Sequence, residues 1–306
     1  MNSRESDAPE ATRAWLLRRE RGNRASLAFI RWVALGLGRR PARFALGFAV
    51  AWYLLRAWPL RRHVYDFLRR VSPRPPRLRD FVRSYWTFGA VTLDRVFLLA
   101  GRDAGFDIRA HDAEILHDMH ARGQGAILLG AHLGSFASIR ALGMRREKLP
   151  ISILQYTDQN PHITRMLAAL DPALAASIIP LGAPDVLLRL AERIEAGDFV
   201  AMLADRIAPT DTRSVACEFL GGRVRFPSGG VEAALLLGCP VVFFLGLYRG
   251  GNRYDIHFEQ LSAGECVARG ERAAAAERLM QAYAGRLAHY ARLAPYNWFN
   301  FYDYWG

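Results

Sequence analysis

Cysteine is scarce: Cys217, Cys239 and Cys266 are the only three in 306 residues. They are widely spaced among apolar or strand-like neighbours, which argues against a disulfide framework and a zinc site and for buried thiols in a reducing compartment. His162, His257 and His289 have no partners at ligand spacing, and Asp158 and Asp171 do not form a metal pattern, so no metal is expected. No secretory signal is recognisable, because the first apolar run starts late, follows a long basic stretch and lacks a small-residue cleavage pattern. No internal repeat or low-complexity segment is present either.

Acidic residues are scarce in one region. Residues 1–80 hold 18 arginines against 6 acidic residues, which accounts for the whole formal net charge of +12. Charge segregated this way implies a basic surface that meets an anionic partner, either nucleic acid or an acidic lipid layer. The residues between the arginines favour lipid. They include Leu27, Phe29, Ile30, Trp32, Val33, Leu35 and Leu37, then an uncharged run from Phe44 to Leu55 closed by Arg43 and Arg56. As a helix those twelve residues reach about 18 Å, short of a hydrocarbon core about 30 Å thick, so a simple transmembrane span is not expected. The expectation is a pair of interfacial helices, with Trp15, Trp32, Trp52 and Trp58 near lipid headgroups and arginines on phosphates. A buried core helix over Phe44 to Leu55 is the competing reading.

Half of the chain is hydrophobic (51%), enough for one large α/β domain. The Pro-rich break Ser72-Pro73-Arg74-Pro75-Pro76 separates a flexible terminus (1–14) and a basic helical anchor (15–76) from an α/β domain (77–306). A largely buried helix is expected from Leu78 to about Ala100. Strands are expected at Ala126 to Ala131, Ile151 to Leu154, Ser177 to Pro180, Phe199 to Ala204, Ser214 to Phe219, Pro240 to Leu247 and Arg253 to Phe258. Helices are expected over 136–146, 158–170, 183–196, 228–238 and 270–292. This alternation predicts a mostly parallel sheet flanked by helices, with the active site at the carboxyl ends of strands.

Gly123 to Phe136 reads as turn, buried strand, tight turn and helix start, which puts His132 at a strand's carboxyl end. A lone histidine is more often structural than catalytic. This one faces the crevice, and Gly134 and Ser135 could present backbone N–H groups beside it. Acyl transfer needs a base for the acceptor hydroxyl and donors for the oxyanion, and one strand-turn-helix could supply both. Arg206, at another strand end, could bind a phosphate or pair with Asp205, Asp211 or Glu218. The turn Phe226-Pro227-Ser228-Gly229 before an apolar helix could hold a phosphate or assist the oxyanion. The aromatic terminus from Tyr296 to Trp305 could line an acyl tunnel, touch the bilayer or, more commonly for aromatics, fill the core.

From about residue 15 to 305 the chain resembles the late acyltransferases of lipid A biosynthesis, a branch of the lysophospholipid acyltransferase superfamily. The signature of that superfamily is a histidine followed five positions later by Glu or Asp, and His132 matches its histidine. Leu203-Ala204-Asp205-Arg206, Glu218 to Gly222, Phe226 to Gly229, Gly238 to Val242 and Pro295 to Trp305 follow in the family's order. The resemblance implies acyl transfer from an acyl carrier protein or coenzyme A thioester to a lipid hydroxyl, with His132 as general base. It needs no cofactor, and implies anionic membrane and no nucleic acid as partner, at the cytoplasmic face of the inner membrane.

One position departs from the family. Five residues after His132 stands Ala137, where the pattern has a carboxylate that fixes the imidazole tautomer and stabilises the imidazolium. Three explanations are open: an engineered inactivating change, a natural loss of catalysis, or replacement by Asp205 or by the hydroxyls of Ser135 and Ser138. The recognisable remainder of the pattern favours the first. A lipid-binding protein that keeps the fold without the chemistry is the alternative function.

Overall fold

A computed structural model describes residues 36, 38–56, 61–142, 148–155, 176–208 and 213–305. The expected helix over 158–170, as well as Trp15, Trp32, Trp58, Asp158, His162, Asp171 and Asp211, lies outside the described residues. Among the described residues three helices come first: α1 (Arg39–Arg56), α2 (Arg61–Val71) and α3 (Leu78–Leu99). The chain continues through β1 (Asp107–His111), α4 (Glu114–Ala121), β2 (Ala126–Gly130), α5 (Phe136–Arg140), β3 (Ile151–Gln155), β4 (Ile178–Pro180), α6 (Val186–Glu195) and β5 (Phe199–Leu203). The hairpin β6 (Ser214–Phe219) and β7 (Gly222–Pro227) follows, then α7 (Gly229–Leu237), β8 (Val241–Gly250), β9 (Arg253–Ser262), α8 (Arg272–Leu293) and a 3₁₀ turn at Pro295–Asn297.

Seven strands form one sheet in the order β1-β9-β8-β2-β5-β3-β4, and β6 and β7 pair separately. β8, β2, β5, β3 and β4 run parallel; β9 pairs antiparallel with β8 and parallel with β1, so β1 and β9 point the other way. The expected mostly parallel sheet flanked by helices is therefore present. β2 is buried along its whole length, as the centre of a sheet covered on both faces must be. Its side chains alternate between two cores: Ile127 and Leu129 pack on one face, Ala126 and Leu128 on the other.

Two strands and several boundaries differ from the sequence expectation. β1 is an edge strand with only Ile108 buried, so it lacks an apolar run. In β7, Arg223 and Arg225 are exposed and alternate with the buried Val224 and Phe226, so Phe226 and Pro227 belong to a strand rather than to a free turn. The α-helix α5 runs from Phe136 to Arg140 and continues as a π turn over Ala141 and Leu142, and the rest of the expected helix over 136–146 lies outside the described residues.

The competing reading of Phe44 to Leu55 as a core helix does not hold. Within α1 only Ala42 and Val50 are buried, while Phe44 (73%), Phe48 (68%), Trp52 (63%) and Leu55 (81%) are exposed along one stripe. Its opposite face rests on α3: Tyr53 meets Tyr85 edge-on at 5.2 Å, and Leu46 fills the space where a Gly89 side chain would be. Among the described residues, no helix is long and apolar enough to cross a membrane. The second basic helix, α2, buries Val64, Phe67 and Leu68 in the main core, where the Phe67 ring stacks on Trp298 at 5.0 Å.

Candidate active site

β2 and β5 are parallel neighbours, with Gly130 level with Leu203. Each chain runs two residues past its strand, and His132 and Asp205 therefore arrive side by side at the same sheet edge. The His132 Nδ1 lies 2.8 Å from Asp205 Oδ1, and the His132 backbone N–H donates to Oδ2 at 3.0 Å. Of the three explanations for Ala137, the geometry matches the third: a carboxylate already faces the imidazole from another strand. The serine hydroxyls do not join it. Ser135 Oγ accepts the Ser138 N–H, and Ser138 Oγ donates to the Ser135 carbonyl. Ala137 itself is buried within the apolar core between α5 and the sheet.

Asp205 is completely enclosed, and its remaining bonds come from the aromatic terminus. Asn300 donates from Nδ2 to Oδ2 at 2.8 Å, and the Tyr304 hydroxyl donates to the Asp205 carbonyl at 2.6 Å. Asn300 is in turn fixed by Arg206, whose Nε donates to Asn300 Oδ1 at 2.5 Å while another guanidinium nitrogen donates to the Phe299 carbonyl at 3.2 Å. Arg206 thus braces the terminus, a use that neither the phosphate nor the salt-bridge reading anticipated. Trp298, Phe299, Tyr302 and Tyr304 are buried, so core packing accounts for them. Asn297 and Asn300 were not singled out by sequence reasoning, and Tyr304 only as one of the aromatic cluster, because an aromatic-rich ending gives no sign of which polar group faces the His132 turn.

The electrostatics suit a base. Burial opposes ionisation of Asp205, but the charge and hydrogen bond of His132, Arg206 and the Asn300 amide hold its carboxyl at about 2. Burial, followed by Arg206, keeps the His132 imidazole below its ordinary 6.5, and attraction to Asp205 only partly offsets this. An ionised Asp205 takes the Nδ1 hydrogen, which assigns the neutral tautomer with its lone pair on Nε2. Nε2 has no hydrogen-bond partner among the described residues, and the His132 side chain remains 31% exposed.

The expected oxyanion donors are otherwise engaged. Gly134 N–H donates to the Asn297 carbonyl at 2.8 Å and Ser135 N–H to the Gly246 carbonyl at 2.6 Å, so neither is available in this arrangement. The turn is pressed against β8: Gly134 sits at φ +83°, and a Cβ there would lie 2.2 Å from the Gly246 oxygen. At the other expected site, Phe226 is fully buried, Pro227 ends β7, and the Ser228 hydroxyl donates to Glu232 at 2.6 Å ahead of Gly229. The Ser228 side chain is therefore committed within its own turn.

His257, which has no ligand partner by sequence spacing, does acquire neighbours through strand register. His111 stands opposite it, their rings stacked at 4.5 Å and 10°, with Asp255 within ligand distance. Asp255 is already 3.1 Å from Arg249, and parallel rings aim their lone pairs side by side rather than at one point. The cluster carries no metal assignment.

A comparison with curated proteins returned no match. A family model, that of the bacterial lipid A biosynthesis acyltransferases, matches residues 93–305, which takes in His132, Asp205, Arg206 and the aromatic terminus. With more than two thirds of its length in that match, the chain belongs to the bacterial lipid A biosynthesis acyltransferase family.

Proposed function

We propose that this protein transfers a fatty acyl group from a thioester, carried by an acyl carrier protein or coenzyme A, to a hydroxyl of a lipid acceptor, with His132 as general base and Asp205 as its orienting carboxylate. The observation that carries this reading is the 2.8 Å contact between His132 Nδ1 and Asp205 Oδ1. Nε2 takes the acceptor proton as the hydroxyl oxygen attacks the thioester carbon; collapse breaks the C–S bond, and the imidazolium returns the proton to the departing thiolate. Arg206, whose charge acts on both members of the pair, adds positive potential where the oxyanion forms. No step calls for a metal or redox cofactor. The exposed stripe on α1 and the basic N-terminal region seat the enzyme on an anionic membrane, at the cytoplasmic face of the inner membrane.

Because Asp205 pairs with His132, Ala137 does not leave the imidazole without a carboxylate. The deciding experiment measures thioester consumption and lipid acylation by the chain and by its Asp205→Asn, His132→Ala and Ala137→Glu variants, on anionic vesicles with donors of several chain lengths. The chain itself should turn over, and Asp205→Asn should lose roughly 10⁴-fold, the effect of removing the carboxylate of a comparable triad. Turnover by Ala137→Glu alone would sink the role given to Asp205. Silence in every form would favour the lipid-binding alternative, for which Ala137 is the supporting feature.

A further inference from the structure

Beside the His132 turn, and separate from the His132–Asp205 pair, lies a cleft of about 820 Å³. Its walls come from α1, the early turns of α3, the middle of β1, the end of β8, the start of β9, the end of α8 and the 3₁₀ turn. Five arginines line it, Arg43, Arg83, Arg109, Arg249 and Arg253, against one acidic lining residue, Asp255. Three of the five have carboxylate partners: Arg43 with Asp94, Arg109 with Asp107 and Arg249 with Asp255. Arg83, which lies 5.6 Å from the Tyr296 ring centre, and Arg253 have no carboxylate partner among the described residues. The Nε hydrogen of Arg43 is buried and also lacks an acceptor among them. A concave site with this excess of guanidinium groups favours an anion with several acceptor oxygens.

The apolar part of the lining narrows the choice. Val82 and Leu293 line the same cleft and are exposed (38% and 51%), and Leu78, one turn before Val82, is 68% exposed. The exposed guanidinium groups of Arg83, Arg109, Arg249 and Arg253 and exposed hydrocarbon share one cleft, which matches an amphiphile rather than a free ion. Asn297 joins this cleft to the His132 turn, since its carbonyl accepts from Gly134 and its side-chain oxygen accepts from the Tyr248 N–H at 2.8 Å. We propose that the cleft binds the phosphate ester headgroup of a lipid, with Arg83 and Arg253 as its principal contacts and the acyl chains leaving past Val82 and Leu293. The binding claim does not depend on turnover by His132.

Calorimetric titration of the full chain with dihexanoyl phosphatidic acid, below its micelle concentration, tests it against dihexanoyl phosphatidylcholine and inorganic phosphate. The phosphatidic acid should bind more tightly than either comparison ligand and weaken as salt rises. Arg83→Gln combined with Arg253→Gln should weaken it at least tenfold with the thermal midpoint unchanged, and His132→Ala should bind as the parent does. Unchanged affinity in the double variant would overturn the site. Inorganic phosphate binding as tightly as the lipid would overturn the lipid assignment, and loss of binding in His132→Ala alone would move the lipid to the His132–Asp205 site.

Discussion

His132 and Asp205 illustrate how two groups with opposed needs share one buried position. As the orienting carboxylate Asp205 must stay charged where burial disfavours charge, and His132, Arg206 and Asn300 together hold it at about 2; as a base His132 must stay neutral, and burial with Arg206 keeps it below 6.5. The acid limb of kcat/KM should therefore have its midpoint below 6.5, because activity is lost only as pH falls through the lowered imidazole value. Asp205→Asn removes the charge that raises His132 and leaves at most a neutral hydrogen bond, so the residual activity should show that midpoint displaced further down. A pH profile of both proteins checks this, and an acid limb centred above 6.5 would count against His132 as the base. Stability follows the same direction for Asp205: its contribution is complete above the ordinary 3.8 and disappears as pH falls toward 2. The partner could not be chosen from sequence alone. Asp205, Ser135 and Ser138 were equal candidates until the pairing of Gly130 with Leu203 put one of them beside the imidazole.

At the level of elements, α1 is held by a buried charge. Asp94 on α3 is fully enclosed and receives Arg39 at 2.8 Å, Arg43 at 2.8 Å and the Tyr254 hydroxyl at 2.8 Å. Removing the carboxylate strands two guanidinium groups and a hydroxyl in a part-buried place. Asp94→Ala should cost about 3 kcal/mol, read from urea unfolding, with α1 the first element to lose hydrogen-exchange protection; a loss below about 1 kcal/mol would show that the network contributes little. Elements were legible in sequence where burial is two-sided. The strands at Ala126 and Phe199 are continuous apolar runs, whereas β1 buries only Ile108 and β7 exposes one face with Arg223 and Arg225 on it, which conceals them. The sharp hairpin between β6 and β7, with Leu220 at φ +50° and Gly221 at φ +75°, leaves no polar loop to announce it.

For the whole molecule, the exposed stripe Phe44, Phe48, Trp52 and Leu55 faces away from α3 and is flanked by the exposed Arg40 and Arg56. Burying a side chain of this size contributes about 2 kcal/mol, so Phe48→Glu with Trp52→Glu should weaken anionic-vesicle binding by at least about a hundredfold. The thermal midpoint should hold, since neither side chain supports the core; flotation equal to the parent would remove α1 from the membrane seat. The basic character of this region was legible from its arginines, while the face it presents required knowing that α3 covers the other side. The strap from Asn297 to Tyr304 has a different consequence, one of timing. Asp205 lies 73 residues from His132 and 95 from Asn300, and contacts across such separations require large loops to close first. Sheet and helices can form while the imidazole still lacks its carboxylate, so a refolding chain should regain its circular dichroism before its acyl-transfer activity, and competence should track the docking of the strap.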